Sequence, residues 1–156
     1  MQYSDSYQYS HDIDWFIRIN HRFVHVASAG GKLPIMINDR DKLRITQSQV
    51  FDLPFLFPTE EIIINTVYLN QLLFVNVEPN QGILETYLSS FINFARKGFI
   101  SMDRTNINDP LDPLYHVVCS PPMQAVDLKL DFIQDIENDN IILNEGASGI
   151  PLLNIL

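Results

Sequence analysis

The chain of 156 residues is 46% hydrophobic and carries a formal net charge of −9 at pH 7, which suits one folded core and excludes a disordered chain. It has no basic cluster for duplex nucleic acid, a single cysteine that rules out an internal disulfide or a thiolate metal cluster, and no apolar run near the roughly 20 residues of a membrane helix. Because the first residues also lack the features of a signal peptide, we expect a cytoplasmic protein.

The beginning of the chain predicts a tail followed by a hairpin. Residues 1–11 are rich in Ser, Tyr and Gln and predict a flexible N-terminal tail, with docking on the body through Tyr3, Tyr7 and Tyr9 as the open alternative. Residues 12–156 predict a single globular α+β domain. Residues 13–19 and 22–27 predict two strands joined by a two-residue turn at Asn20-His21. In that register one face of the hairpin is apolar, with Trp15, Ile17, Val24 and Val26, and the other face holds Phe16 and His25.

Two helices and two strands are predicted in the middle of the chain. Asp39 can cap a helix over residues 40–51. Residues 62–77 are rich in β-branched and aromatic side chains, which predicts two strands hinged near residues 69–71. A second helix is predicted between Pro79 and Gly98, because its apolar side chains form one stripe: Leu84, Tyr87, Leu88, Phe91 and Ala95.

The last third predicts more strands. Residues 99–104 and 114–119 predict a strand pair, and the alternation over residues 126–132 predicts a strand with Val126, Leu128, Leu130 and Phe132 facing in and Asp127, Lys129 and Asp131 facing out. Residues 141–143 predict an antiparallel return strand. The apolar C-terminal residues 150–156 must pack on the domain or form a contact surface, such as one between copies of the chain.

These elements predict an α+β fold, since strands outnumber helices and short turns favour antiparallel pairing. We expect a single curved antiparallel sheet of about six to eight strands with two helices packed mainly on one face. An incomplete barrel stays open as the alternative.

The hairpin gathers three candidate catalytic residues, Asp14, Arg18 and His25, on one face. His25 is diagonal to both of the other two, and a carboxylate near an imidazole is the first half of an acid–base pair. The favoured alternative is a solvated strand face, where Phe16 and Phe23 cover a second small core and the charges lie at its rim. A pair without a nucleophile or pocket is only a fragment of a site, and the diverging histidines do not predict a metal site.

Three other candidates, Asp103, Arg104 and His116, belong to the second strand pair. Residues 103–112 also supply Asn and Asp oxygens that suit Ca²⁺ or Mg²⁺, although a long turn uses the same residues. His116 and Cys119 are three residues apart, and such positions on a strand point to opposite faces, so no dyad is expected. Cys119 should be buried on the side of Tyr115 and Val117.

No nucleotide or metal cofactor is predicted. Gly30-Gly31 follows a strand, but a phosphate loop needs more glycines and a helix that begins at once, and Lys32-Leu33-Pro34 follows instead. The chain also lacks the short motifs of common hydrolases and metalloproteases.

Two functional hypotheses remain. The first is a small acidic, non-enzymatic domain that binds another protein in the manner of immunity or regulator proteins, with no membrane or duplex nucleic acid as partner. Its negative charge favours a basic partner. The second is a hydrolase or transferase that uses Asp14 and His25 together with residues of the 103–116 hairpin. A deep pocket between the two hairpins would favour the enzyme, and a flat surface there would favour binding.

Overall fold

The computed structural model describes residues 1–66, 69, 81–125, 128–136 and 153–154. Within these residues the chain forms three α-helices of six or more residues, a short 3₁₀ helix at Thr59–Glu61 and one curved sheet, which confirms the predicted α+β class. The helices are α1 (Asp5–Ser10), α2 (Arg40–Asp52) and α3 (Gln81–Arg96). None of the helices described is long and apolar enough to cross a membrane.

The sheet has seven strands in the described residues, within the predicted number. They are β1 (Asp14–Ile19), β2 (Arg22–Ala27), β3 (Ile63–Ile64), β4 (Ile100–Arg104), β5 (Leu114–Ser120), β6 (Gln134–Ile136) and β7 (Leu153–Asn154). Their spatial order is β3-β5-β4-β2-β1-β6, and β7 also pairs with β5. The predicted strand pairs β1–β2 and β4–β5 are both present and antiparallel.

The sheet is mixed rather than purely antiparallel. Strand β2 pairs with β4 in parallel, and β1 pairs with β6 in parallel. After β2 the chain passes through α2 and α3 before it returns as β4 beside β2. A long crossover of this kind permits a parallel pair, whereas short turns enforce antiparallel ones. The prediction went wrong here because it considered only neighbours in sequence.

The opening hairpin has the predicted register, with Trp15 opposite Val26 and Phe16 opposite His25. Asn20 and His21 form the turn with φ angles of 47° and 66°, as the mirror-image turns of tight hairpins require. One face of the hairpin contributes Trp15 and its apolar neighbours to the main core, and the other contributes Phe16 to a second core. The predicted division of the two faces is therefore confirmed.

Both long helices begin or end at the predicted signals. The side chain of Asp39 accepts a hydrogen bond from the backbone N–H of Lys42 at the start of α2. Gly98, with a φ of 99°, follows the end of α3. Val50 of α2 joins the second core, and Phe91 of α3 packs in a third cluster, so both helices cover the face of the sheet that carries His25.

The segment interpreted as a flexible tail contains helix α1 and is packed on the rest of the molecule. Gln8 is fully buried, its amide donates to the carbonyl of Tyr3, and its side-chain oxygen accepts from the backbone N–H of Leu33. Six residues are too few for a helix that is stable by itself, so these tertiary hydrogen bonds hold it in place. Its sequence therefore gave little sign of it.

The strand predicted over residues 126–132 is absent from the part described. Phe132 is 51% exposed with a φ of 59°, so it breaks the alternation and does not face in. Leu128 and Leu130 are only partly buried against the second core, and the strand β6 begins later. Val126, Asp127 and the return strand at residues 141–143 lie outside the described residues.

The prediction for residues 62–77 is met only at β3. Thr66 and Leu69 are helical rather than extended, and Leu69 is buried in the cluster beneath α3. The remaining positions of that prediction lie outside the described residues. Of the apolar residues 150–156, only Leu153 and Asn154 are described, and their backbone pairs with the start of β5.

Candidate functional site

A hydrogen-bond chain crosses three strands beneath α3. His25 Nε2 lies 2.7 Å from Asp14 Oδ1, and His25 Nδ1 lies 2.6 Å from Ser101 Oγ. The predicted approach of Asp14 to His25 follows from the hairpin register, and Ser101 joins because it stands opposite His25 in the parallel β2–β4 pair. Carboxylate, imidazole and hydroxyl thus lie in the order of a nucleophilic triad.

Burial determines which of the three hydrogen-bonded groups can react with a substrate. Ser101 is fully enclosed and His25 is 1% exposed, whereas the Asp14 side chain is 45% exposed. A neutral His25 with its proton on Nε2 satisfies both contacts, since it donates to Asp14 and accepts from the Ser101 hydroxyl. The hydroxyl cannot meet a substrate, so Asp14 is the only member that presents a reactive atom to solvent.

The alternative of a solvated face is wrong for His25. Phe94 of α3 stacks on the imidazole, with 3.8 Å between ring centroids, and Phe91 packs at 6.0 Å. The second core that Phe16 and Phe23 were expected to cover is present, and Asp14 lies at its rim as expected.

Arg18 does not join His25. Its guanidinium forms a two-pronged ion pair with Asp135 of β6, including a 2.8 Å contact between Nη2 and Oδ2. The parallel β1–β6 pair places these two residues opposite each other. Of the three hairpin candidates, the structure therefore brings together Asp14 and His25 only.

The Asp14 side chain reaches a cleft of about 400 Å³ between α1, the start of β1 and α2. Asp14 at the start of β1 and Asp12 two residues before it supply the carboxylates, and α2 supplies Arg44 and Gln47. The Gln47 amide donates to the backbone carbonyl of Asp14, and one Asp12 oxygen accepts from the N–H of Ala29. Arg44 makes no ion pair with any described residue.

Aromatic rings form much of the remaining cleft wall. Tyr3, Tyr7 and His11 of the N-terminal segment stack in sequence, with centroid distances of 5.0 Å and 3.9 Å. Phe51 at the end of α2 also lines the cleft and is 80% exposed. The cleft is thus acidic on one side and aromatic on two.

The candidates of the second strand pair do not line this cleft. Asp103 accepts a 2.6 Å hydrogen bond from the Tyr87 hydroxyl, and burial raises the pKa of its carboxyl to about 6. Burial lowers the pKa of His116 to about 4. The lining of this cleft therefore gives no support to the hypothesis that Asp14 and His25 act together with residues of the 103–116 hairpin.

Arg104 is a structural anchor. Its guanidinium is 2% exposed and donates to the carbonyl oxygens of Ser28, Asp109 and Asp112 at 2.8, 3.1 and 2.9 Å. The backbone of Gly31 passes so close that a Cβ there would lie 1.7 Å from the guanidinium carbon. Arg104 therefore fixes the loops that follow β2 and β4 against each other.

A β-bulge corrects the expected placement of Cys119. Ser101 pairs with Cys119 but Met102 pairs with Val117, so one residue of β5 is left over between them. The bulge moves Cys119 into the cluster beneath α3, whereas Tyr115 and Val117 remain in the main core.

His116 pairs with Asp103, two positions beyond Ser101 on β4, so it shares a face with Cys119 after all. Burial raises the pKa of the Cys119 thiol to about 12, which makes it inert.

The loop between β4 and β5 uses its polar side chains for turns. Asn106, Asp109 and Asp112 each accept a hydrogen bond from the backbone N–H two residues further on. Across the residues that the structure describes, no group of three or more His, Cys, Asp or Glu side chains is arranged to hold a metal ion.

Comparison with protein-family models, curated proteins and solved structures found no match. Sequence reasoning missed Asp12, Ser101 and the aromatic wall from α1. Alternation along β4 places Ser101 on the face of Asp103, but only the parallel β2–β4 pair brings it to His25.

Proposed function

We propose that this protein is a non-enzymatic binding domain that receives a basic segment of another protein, in a regulatory or neutralising role. The observation that carries the proposal is the difference in exposure between the two ends of the hydrogen-bond chain. Its hydroxyl is fully enclosed, and its carboxylate opens into a cleft with a second carboxylate. Exposed acidic groups without an accessible nucleophile suit recognition of a cation better than covalent chemistry.

The carboxylates cluster at one end of the sheet, where β1 and β5 begin and β2 and β4 end. We call this end the acidic edge and define it by Asp5, Asp12, Asp14, Asp109 and Asp112. Lys32 is exposed there and forms an ion pair with Asp5, Arg104 is buried, and Arg44 of α2 lines the cleft beside Asp12 and Asp14. A negative field at this end would speed the encounter with a basic partner.

Exposed apolar side chains accompany this charge. Ile35 is 86% exposed, and Ile107 and Leu111 are 66% and 65% exposed. The two loops that carry them are joined by a hydrogen bond from Lys32 N to Pro110 O and by the bonds of Arg104. Protein interfaces combine such apolar contacts with a charged rim, which supports a protein partner.

The test is a titration with a capped peptide of alternating Lys and Gly, followed by NMR of the backbone amides at low and high salt. We expect saturable shifts at the acidic edge that weaken with salt. The double variant Asp5→Asn/Asp109→Asn should bind more weakly. The matched control, Glu60→Gln/Glu61→Gln, removes the same charge beside β3 at the other end of the sheet and should bind like the parent. Equal weakening by both pairs, or no saturable shift, would refute the proposal.

A second candidate is a hydrolase or transferase in which Asp14 acts as a general base and His25 orients it. The observation in its favour is that the Asp14 carboxylate lies at the cleft with the imidazole hydrogen-bonded behind it. Turnover of p-nitrophenyl acetate or p-nitrophenyl phosphate that is lost in Asp14→Asn, but retained in Ser101→Ala, would support the enzyme. Absence of turnover in the parent would remove the case for these two ester classes.

A further inference from the structure

The cleft beside Asp14 has the features of a receptor for one cationic side chain. We infer that it takes the guanidinium of an arginine from a protein partner. This inference rests on the proposed function and names the group that the partner would insert.

The size of the cleft fits a single side chain. Ligand pockets in proteins commonly measure about 300–1,000 Å³, and this cleft of about 400 Å³ lies near the lower end of that range. The cleft is therefore large enough to admit one long side chain.

Two acceptor oxygens are available for a cation. Asp14 uses Oδ1 toward His25, and Asp12 uses Oδ1 toward Ala29 N. Their second oxygens have no hydrogen bond within the described residues, and both residues line the cleft. His25 and Ala29 thus fix the carboxylates in place, so their ordering entropy is lost on folding rather than on binding.

The aromatic wall suits a planar cation. Tyr7 and His11 stack with only 9° between their planes, and Phe51 presents a ring that is 80% exposed. Lys97 Nζ already lies 5.4 Å from the centroid of the Phe51 ring, which shows that this ring accepts a cation nearby. A guanidinium stacks on aromatic rings and is less strongly hydrated than an ammonium, so arginine is favoured over lysine.

Arg44 opposes a cation in the cleft. It is exposed, it lines the cleft, and it has no ion pair with a described residue. A ligand with its own carboxylate would gain from Arg44, whereas a purely cationic ligand would be repelled by it. The effect of removing Arg44 therefore distinguishes an arginine side chain from a zwitterion.

The experiment is an NMR titration of the full chain with acetyl-Gly-Arg-Gly-amide. The comparison peptides carry lysine or the neutral analogue citrulline in place of arginine. We expect the arginine peptide to shift amides of the cleft, the lysine peptide to bind more weakly and the citrulline peptide to bind least. Asp14→Asn should weaken binding by about fivefold or more, and Phe51→Ala should weaken it as well. Arg44→Gln should strengthen it, and the control Glu60→Gln should leave it unchanged.

Phe51→Ala keeps the test valid if Asp14→Asn disturbs the fold, because Phe51 is mostly exposed. Equal binding of the arginine and citrulline peptides would overturn the inference, as would parent-like binding in both Asp14→Asn and Phe51→Ala. Weaker binding in Arg44→Gln would also overturn it, in favour of a zwitterionic ligand. If the Lys-Gly peptide binds the acidic edge while the arginine peptide does not enter the cleft, the inference fails and the proposed function stands.

Discussion

Asp103 of β4 and His116 of β5 stand opposite each other in the sheet. Burial raises the pKa of the Asp103 carboxyl and lowers the pKa of the His116 imidazole, so the carboxyl has the higher pKa of the two. The carboxyl of Asp103 has a pKa of about 6 and the imidazole of His116 has a pKa of about 4. Between these values both groups are neutral in the folded protein. In the unfolded chain the same two groups are both charged over most of that range.

Asp103→Asn should remove a contribution to folding stability that is present at acidic pH. The folded pKa of Asp103 is raised, so its contribution to stability is fully present below the unfolded value near 3.8 and is lost as the pH rises through about 6. Relative to Asp103→Asn, the parent should lose on the order of 2–3 kcal/mol of unfolding free energy between pH 4 and pH 7. Urea unfolding at several pH values checks this, and a pH-independent difference would contradict it.

His116→Gln should show the opposite slope. The folded pKa of His116 is lowered, so its contribution is fully present above the unfolded value near 6.5 and is lost as the pH falls through about 4. Relative to His116→Gln, the parent should lose on the order of 3 kcal/mol as the pH falls from 7 to 4. The same unfolding series measures it. A slope of the same sign as that of Asp103→Asn would show that the imidazole is not desolvated.

Gly31→Ala and Arg104→Met should be destabilising and coupled. The added methyl would displace the guanidinium, and the loss of the guanidinium would leave buried carbonyl oxygens without donors, so each change should cost at least about 2 kcal/mol. Because both act through the same contacts, the double variant should lose less than the sum by about 1 kcal/mol or more. A double-mutant cycle by thermal unfolding provides the measurement, and strict additivity would contradict the shared anchor.

His21→Gly should stabilise the hairpin. His21 has a φ of 66°, which glycine adopts without steric cost, and Asn-Gly is the preferred pair for this turn. We expect a gain of about 0.5–1 kcal/mol in unfolding free energy. The matched control is Arg22→Gly, which places the glycine one residue later in β2 and should be destabilising. A loss in His21→Gly would show that the histidine side chain has a role in the turn.

Trp15→Ala should be among the most damaging changes in the core. Trp15 is fully enclosed and packs edge-on against Tyr115, with 5.6 Å between ring centroids. We expect a loss of about 3–5 kcal/mol. Phe132→Ala removes an aromatic ring that is 51% exposed, so it should cost less than about 1 kcal/mol. Similar losses in the two variants would contradict the assigned burial.

The features that could be predicted from the sequence are those encoded within a few residues. The hairpin register follows from the turn at Asn20-His21 and the alternation on either side. Helix α2 begins after Asp39, and α3 ends before Gly98. The proximity of Asp14 to His25 follows from that register alone. These features depend on local backbone geometry, so a single sequence reveals them.

The other half of the site depends on contacts between distant segments. Ser101 reaches His25 only through the β2–β4 pair, and the bulge in β5 alone places Cys119 on the same face. The cleft exists because α1 packs on the body through the buried Gln8. No periodic pattern reveals such pairings. The alternation over residues 126–132 was misleading, because the described residues 128–132 alternate in composition and yet form no strand.

The parallel β2–β4 pair also has a kinetic consequence. The hairpins β1–β2 and β4–β5 each form from nearby residues. They pair with each other through β2 and β4 only after the chain from residue 28 to residue 99 has been closed into a loop. Loop-closure entropy opposes that step, so we expect the β2–β4 pair to form late and to set the folding rate. The bond between His25 and Ser101 spans the β2–β4 pair, and Ser101→Ala should therefore slow refolding.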